Sequence, residues 1–584
     1  MRKLMVCIAT VAVVAYLFLP AAAACIAGES LEGRYKITLL IFGEDEFLLL
    51  DMKSVDSKLQ ATVVDAQPFL GSSPKVTNTK WHDGVLELTI TSPEMENSFL
   101  GHLVTKGDQA GEVLGTFRFR GDDYPARLEK TDAEKVGTLS RSQLSVDLLK
   151  VRRETHTPAR VEKLKELLKK YPGPSLHLVY SALLSLATEG GLSTDEVSKY
   201  VRTWLDDAKQ YGDRWLTQCR TKALAALDGQ KEFAPLAVKI ANEAEAATSD
   251  ETPTEQRAAI ASALARAAEL AGDEQLAATA RRRSEKFEAQ LDKEYLANVP
   301  PFKPETYAGR TSPEQDRTVL LELFTGAQCP PCVAADVAFD AVLKSYKTSE
   351  VLALQYHLHI PGPDPLTCED SNQRQTYYKL RGTPSAYFNG EELAPGGGGM
   401  GNAEQKYAMY RAIINQRLAG KAKATIDLEL TRSGNQLLVT VSARAAEIES
   451  EKTTGGEKDA DATEDADQEE DEEPQVHLRL ALTEESIRYV GGNNLRFHHH
   501  VVRAMPGGVE GKQLVAGQVQ VELTIDLDEI RANQEAYLKA FAQSVGFPKP
   551  LPPIALKNLA LVAFVQDDAT KEVLHAVSVK IEDK

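Results

Sequence analysis

The stretch Thr318-Val319-Leu320-Leu321-Glu322-Leu323-Phe324, Thr325-Gly326-Ala327-Gln328, Cys329-Pro330-Pro331-Cys332, Val333-Ala334-Ala335-Asp336-Val337-Ala338-Phe339 decides how this chain is read. Its first part has the pattern of a buried strand, its second is a turn, and the run after the cysteines continues as a helix. Two cysteines separated by two residues can open and close one disulfide. Cys329 falls at or beside the helix N-cap, where free backbone N–H groups and the positive end of the helix dipole stabilise a thiolate. Pro330 and Pro331 occupy the first turn, where their missing N–H groups cost little, and they leave the Cys332 amide free to point back at the Cys329 sulfur. The other reading is half of a structural zinc site, but neither a second cysteine pair nor a spaced histidine pair completes it.

Outward from the cysteines, Glu350-Val351-Leu352-Ala353-Leu354-Gln355-Tyr356-His357-Leu358 is a second apolar strand. Gly382-Thr383-Pro384-Ser385-Ala386-Tyr387-Phe388-Asn389-Gly390 then reads as a loop entering a hairpin. With the Cys-Pro-Pro-Cys helix between them, residues 305–420 resemble the thioredoxin fold. The resemblance implies that Thr383 and Pro384 are the family's cis-proline loop. Pro384 would face the disulfide, and Thr383 would offer backbone hydrogen bonds to an extended substrate strand. It also implies a Cys329–Cys332 redox disulfide, in which Cys329 attacks and Cys332 resolves the mixed disulfide. The sequence departs from the family in two places: Gln328 stands where an aromatic residue usually precedes the first cysteine, and the turn is one residue longer. Gly396-Gly397-Gly398-Gly399 reads as a loop before a closing helix over 407–418, because a phosphate cradle needs a preceding strand and a following Lys/Ser pattern.

Resolution requires a group that takes the Cys332 proton. Glu322 is the catalytic candidate, since burial on a central strand would raise its pKa, although the family's buried carboxylate lies one residue nearer the first cysteine. An edge-facing carboxylate is the alternative. His357 and His359 alternate along the second strand and share a face; His359 could lie near the disulfide or be a satisfied structural histidine. Cys368 is either a third redox cysteine or a free thiol. His498, His499 and His500 cannot all face one side of a strand, so no metal site is expected there, and no cofactor is expected elsewhere.

A chain of 584 residues should hold about four domains. Met1-Arg2-Lys3, an apolar run over 4–19 and Pro20-Ala21-Ala22-Ala23-Ala24-Cys25 read as a secretory signal peptide over 1–24. The run is too short for a comfortable membrane span. The protein is therefore expected to be exported, periplasmic or envelope-associated, and to meet a membrane only if Cys25 is lipidated. Without the leader, the six cysteines fall to Cys25, Cys219, Cys329, Cys332 and Cys368, too few for a disulfide scaffold. Of the net charge of −18, residues 447–473 carry −12, from fourteen Asp and Glu against two Lys. That tract cannot bury a core and reads as a disordered acidic insertion. No basic patch points to nucleic acid.

The expected architecture is multidomain α+β. Residues 28–130 show short alternating strands between Gly, Asp, Ser and Pro turns, fitting a small β-barrel or sandwich. Residues 140–297 switch to helical periodicity, with some eight helices in a tetratricopeptide-like array or bundle. Thr252-Pro253-Thr254-Glu255 reads as a capping box and Gly272 as that helix's stop; Cys219 reads as core. A proline-rich linker over 298–304 precedes the thioredoxin-like segment. Residues 421–584 carry seven strand-like runs, fitting an immunoglobulin-like sandwich. A thioredoxin-like domain followed by a β-sandwich is similar to secreted, outer-membrane-associated bacterial proteins, on residues 495–503 and 562–566. Two functions follow. One is an extracytoplasmic thiol–disulfide oxidoreductase acting on exported client proteins with a redox partner. The other is a secreted interaction scaffold whose thioredoxin-like module is not catalytic.

Overall fold

A computed structural model describes residues 31–445, 475–547 and 551–582, except positions 94, 120, 140 and 251. The leader over 1–24, Cys25 and the acidic insertion over 447–473 lie outside the described residues. The chain divides into two compact units, Met1–Leu291 and Asp292–Lys584.

The first unit opens with eight antiparallel strands: β1 (Gly33–Leu39), β2 (Asp45–Val55), β3 (Lys58–Ala66), β4 (Lys75–His82), β5 (Val85–Thr91), β6 (Glu96–Leu103), β7 (Val113–Phe119) and β8 (Asp122–Lys130). Their order, β3-β2-β1-β8-β7-β6-β5-β4, brings the edge strands β3 and β4 side by side, so the sheet nearly closes into a barrel. Alternation fills its interior: Tyr35, Ile37 and Leu39 of β1 and Leu86, Leu88 and Ile90 of β5 are all buried. Where β6 crosses β7, a Cβ on Gly115 would lie 2.2 Å from the Leu100 carbonyl oxygen, so only glycine permits that approach.

Eight helices follow: α1 (Gln143–Arg152), α2 (Thr157–Lys170), α3 (His177–Ser185), α4 (Thr194–Ala208), α5 (Asp213–Leu227), α6 (Ala234–Ala246), α7 (Thr254–Ala271) and α8 (Glu274–Asn298). Strands and helices share one core, in which Leu40 and Leu114 pack among the helix residues and Thr116 Oγ1 donates to the Tyr211 carbonyl at 2.8 Å. Cys219 sits fully buried on α5. Gly272 ends α7 in the left-handed conformation. The capping box expected at Thr252 is absent, because Pro253 is the N-cap of α7 and Thr252 Oγ1 instead accepts from the Ser249 amide. A reciprocal box does open α4, between Ser193 and Glu196.

The second unit is built on one nine-stranded sheet. Its elements are β9 (Val319–Thr325), α9 (Val333–Ser345), β10 (Val351–His357), α10 (Glu369–Tyr377), β11 (Ser385–Phe388), β12 (Glu391–Glu392) and α11 (Ala403–Leu418). They are followed by β13 (Ala424–Ser433), β14 (Gln436–Ala445), β15 (Val476–Arg488), β16 (Phe497–Ala504), β17 (Lys512–Gln513), β18 (Gln518–Asp526), α12 (Leu527–Ser544), β19 (Leu559–Asp567) and β20 (Val573–Lys580). The sheet order is β12-β11-β9-β10-β16-β15-β19-β20, with β17 beside β15. β10 runs parallel to β9, and parallel to β16 through Gln355 and Val501. The expected separate sandwich over 421–584 therefore takes a different form: β15, β16, β19 and β20 extend the strands of the preceding segment. The sheet β13-β14-β18 faces that extension across a shared core containing Leu437, Val439, Leu480 and Leu561. Helix α12 interrupts the strand series, with Asp526 accepting from the Asp528 and Glu529 amides as its N-cap. Phe302, in the expected linker, stacks against Tyr407 at 5.4 Å.

Candidate functional site

Cys329 and Cys332 form a disulfide at the start of α9. β9 delivers the pair through the turn over 326–328, and a single 3-10 turn, Pro330–Cys332, joins it to α9. That turn corrects one expectation. The Cys332 amide donates to the Cys329 carbonyl at 3.0 Å and does not point at the Cys329 sulfur. The Val333 amide donates to the Pro330 carbonyl, and the Ala334 amide to the Gly398 carbonyl at 2.9 Å. Prolines fill the remaining positions, so the early amides of the helix are already committed. Cys329 is also only 1% exposed.

Thr383 and Pro384 do lie against the pair. Thr383 Oγ1 is 3.5 Å from Cys329 Sγ, the Thr383 carbonyl oxygen is 3.9 Å from it, and the Thr383–Pro384 peptide is cis. The glycine run packs on the other side: the Gly398 amide donates to the Pro331 carbonyl at 2.7 Å, and a Cβ on Gly397 would lie 3.0 Å from Pro384 Cδ.

Glu322 does not reach this site. On β9, Val319, Leu321, Leu323 and Thr325 face α9, so Glu322 projects from the opposite face with Leu320 and Phe324. There it accepts from Arg374 Nε at 2.9 Å, Arg374 Nη2 at 3.1 Å and the Tyr378 hydroxyl at 2.6 Å. Its burial was expected and its partner was not, because Arg374 arrives on α10, fifty-two residues away.

The acid on the cysteine side is Asp336, four residues beyond Cys332 on α9 and therefore on the same helical face. Asp336 accepts from Thr325 Oγ1 and Gln355 Nε2, each at 2.9 Å. Burial pushes its carboxyl well above the usual range; those two hydrogen bonds oppose the shift, and the nearby charges of Asp340 and Asp364 add to it. The polar chain continues inward. Gln355 Oε1 faces His357 Nε2 at 3.1 Å, and His357 Nδ1 faces Asp364 Oδ2 at 2.7 Å. Asp364 Oδ2 also accepts from the Ala327 amide at 2.5 Å, one residue before Gln328. Burial would raise Asp364, but the His357 charge and hydrogen bond and the amides of Ala327 and Leu366 outweigh it and hold the carboxyl low. The i+4 spacing of Asp336 from Cys332 was visible in the sequence and could have found this acid.

The remaining candidates disperse. His359 stacks on Phe541 at 3.7 Å and meets the Tyr537 hydroxyl at 2.9 Å, which ties it to α12 and not to the disulfide. Cys368 is a buried free thiol whose sulfur lies 3.2 Å from Ser371 Oγ, and burial pushes its pKa up. His498 packs edge-on to His357 at 4.8 Å, and burial together with the His357 charge takes it down to about 3. His499 meets Asp340 Oδ1 at 2.7 Å. Among the described residues no group of His, Cys, Asp and Glu has a metal-holding arrangement, and no helix is long and apolar enough to cross a membrane.

No family model matches the chain, and no curated protein matches it. Among solved structures, HBP35 of Porphyromonas gingivalis is similar over 46% of this chain and 76% of that one, at 16% identity and a TM-score of 0.31.

Proposed function

We propose that this protein is an extracytoplasmic thiol–disulfide oxidoreductase acting on exported proteins, with residues 305–420 as its thioredoxin-like core. The observation that carries the reading is the Cys329–Cys332 disulfide at a helix start with Thr383 against the Cys329 sulfur. The leader-like start supports an extracytoplasmic place.

In the exchange, a client thiolate attacks Cys329 Sγ. A client–Cys329 disulfide forms, the Cys329–Cys332 bond breaks, and Cys332 leaves as a thiolate. Asp336 supplies its proton. A second client thiolate then attacks its own sulfur in the mixed disulfide and releases Cys329, so the client is oxidised by two electrons and the pair reduced. A dithiol/disulfide partner reverses the pair, with Asp336 taking the proton back. The same steps run backward when the client is reduced.

The burial of Cys329 favours a second reading, an interaction scaffold with a permanently closed disulfide. Cys332→Ser separates the two. In the oxidoreductase it should trap client proteins on Cys329, visible on non-reducing gels of the exported fraction as bands that collapse on reduction. Capture no greater than that of a Cys329→Ser control leaves the scaffold.

A further inference from the structure

The turn that carries Cys329 is held by a segment more than 160 residues away. Between β15 and β16 the chain crosses it over residues 489–495. The Asn493 amide donates to the Ala327 carbonyl at 3.0 Å, and Asn493 Nδ2 donates to the Gly326 carbonyl at 3.4 Å. The Leu495 amide donates to Asn493 Oδ1 at 3.1 Å, which fixes the direction of the Asn493 side chain. The Gly492 amide donates to Gln328 Oε1 at 3.0 Å. Gly491 passes so close that a Cβ there would lie 2.1 Å from the Ala327 carbonyl oxygen. Beyond the cysteines, Leu495 is buried with Val333 and Val337 at the start of α9. One short segment thus grips both the turn before Cys329 and the helix after Cys332.

We infer that residues 489–495 belong to the redox site, with Asn493 a positioning residue that holds the Cys329 turn in the geometry of the closed disulfide. The inference rests on the proposed exchange activity and extends it. Gln328, standing where an aromatic residue was expected, is the handle by which this segment holds the residue before the attacking cysteine. Contacts made more strongly in one redox state shift the equilibrium toward that state by the difference. The clamp is complete with the disulfide closed, so its loss should favour the dithiol.

The test is the equilibrium of the full-length protein with reduced and oxidised glutathione, read by alkylation of Cys329 and Cys332. Asn493→Ala should move the exchange constant about tenfold toward the dithiol, which corresponds to about 30 mV in midpoint potential. Gln328→Ala cuts the Gly492 contact and the 3.5 Å bond from Gln328 Nε2 to the Tyr489 hydroxyl, both made by a part-exposed side chain, so it reads the same clamp where folding is not at stake; it should shift the constant in the same direction by less. A merely structural role would lower the melting temperature and leave the potential unmoved. If the wild-type pair equilibrates and Gln328→Ala and any folded Asn493→Ala match it, the clamp is wrong and the exchange reading stands. If the wild-type pair never equilibrates, both fall.

Discussion

Two carboxylates in the second unit, both almost fully buried, have opposite fates because of what meets them. Glu322 is met by the Arg374 guanidinium through two hydrogen bonds and is locked as a structural ion pair. Asp336 is met by a hydroxyl and an amide, and burial holds its proton on. The sign of the consequence follows from linkage. An unfolded chain titrates an aspartate near about 3.9, so below that pH both states hold the proton and the stabilising contribution is complete. As the pH climbs toward the raised folded value, the unfolded state sheds its proton first and the native protein loses stability. Asp336→Asn has no proton to shed. Its urea midpoint should gain on the wild type steadily as the pH rises above about 4, and parallel profiles would mean that Asp336 is ionised in the fold. Rapid-quench alkylation of the same variant should also show slower release of Cys332 from the Cys329–Cys332 disulfide when a client thiolate attacks Cys329.

Among the elements, the loop over 394–399 lies against Pro331, Ala334 and Pro384, beside the Cys329–Cys332 pair. Lys406, buried on α11, donates to the carbonyls of Ala394, Pro395 and Gly396 at 3.3, 2.9 and 2.7 Å. These charge-assisted bonds hold the loop whose Gly398 sits on Pro331 and Ala334. Lys406→Met keeps the aliphatic stem and removes all three bonds. Dithiothreitol should then reduce the Cys329–Cys332 disulfide about tenfold faster, equivalent to about 1.4 kcal/mol of easier loop opening. An unchanged rate would show that Cys329 is reached from another side. The committed amides at the start of α9 leave Thr383, and not free helix donors, as the polar neighbour of the Cys329 sulfur.

At the scale of the whole molecule, the second unit cannot be cut at residue 420. The face of the sheet bearing Leu320, Phe324, Leu354 and Tyr356 is covered by Ala481, Val502, Val562 and Phe564, and Gln566 Oε1 accepts from Arg374 at 2.8 Å. Residues 305–420 alone would expose that face and the edge of β10, and should aggregate or unfold without a cooperative transition. Residues 292–584 should melt as one unit. Calorimetry of both fragments checks this; a sharp transition in the short one would contradict it. By itself the sequence determined the elements written in short-range pattern: the alternating strands of the first unit, the helices over 143–298, and the strand–turn–cysteine–helix run. Each is set by periods of two or 3.6 residues, or by turn and cap chemistry, within a few neighbours. Only the tertiary structure decided which way Glu322 faces in the assembled sheet, that β16 joins β10, and that residues 489–495 hold the Cys329 turn. Those depend on partners 52 to 167 residues away in the chain, and no local pattern encodes the pairing that brings them together.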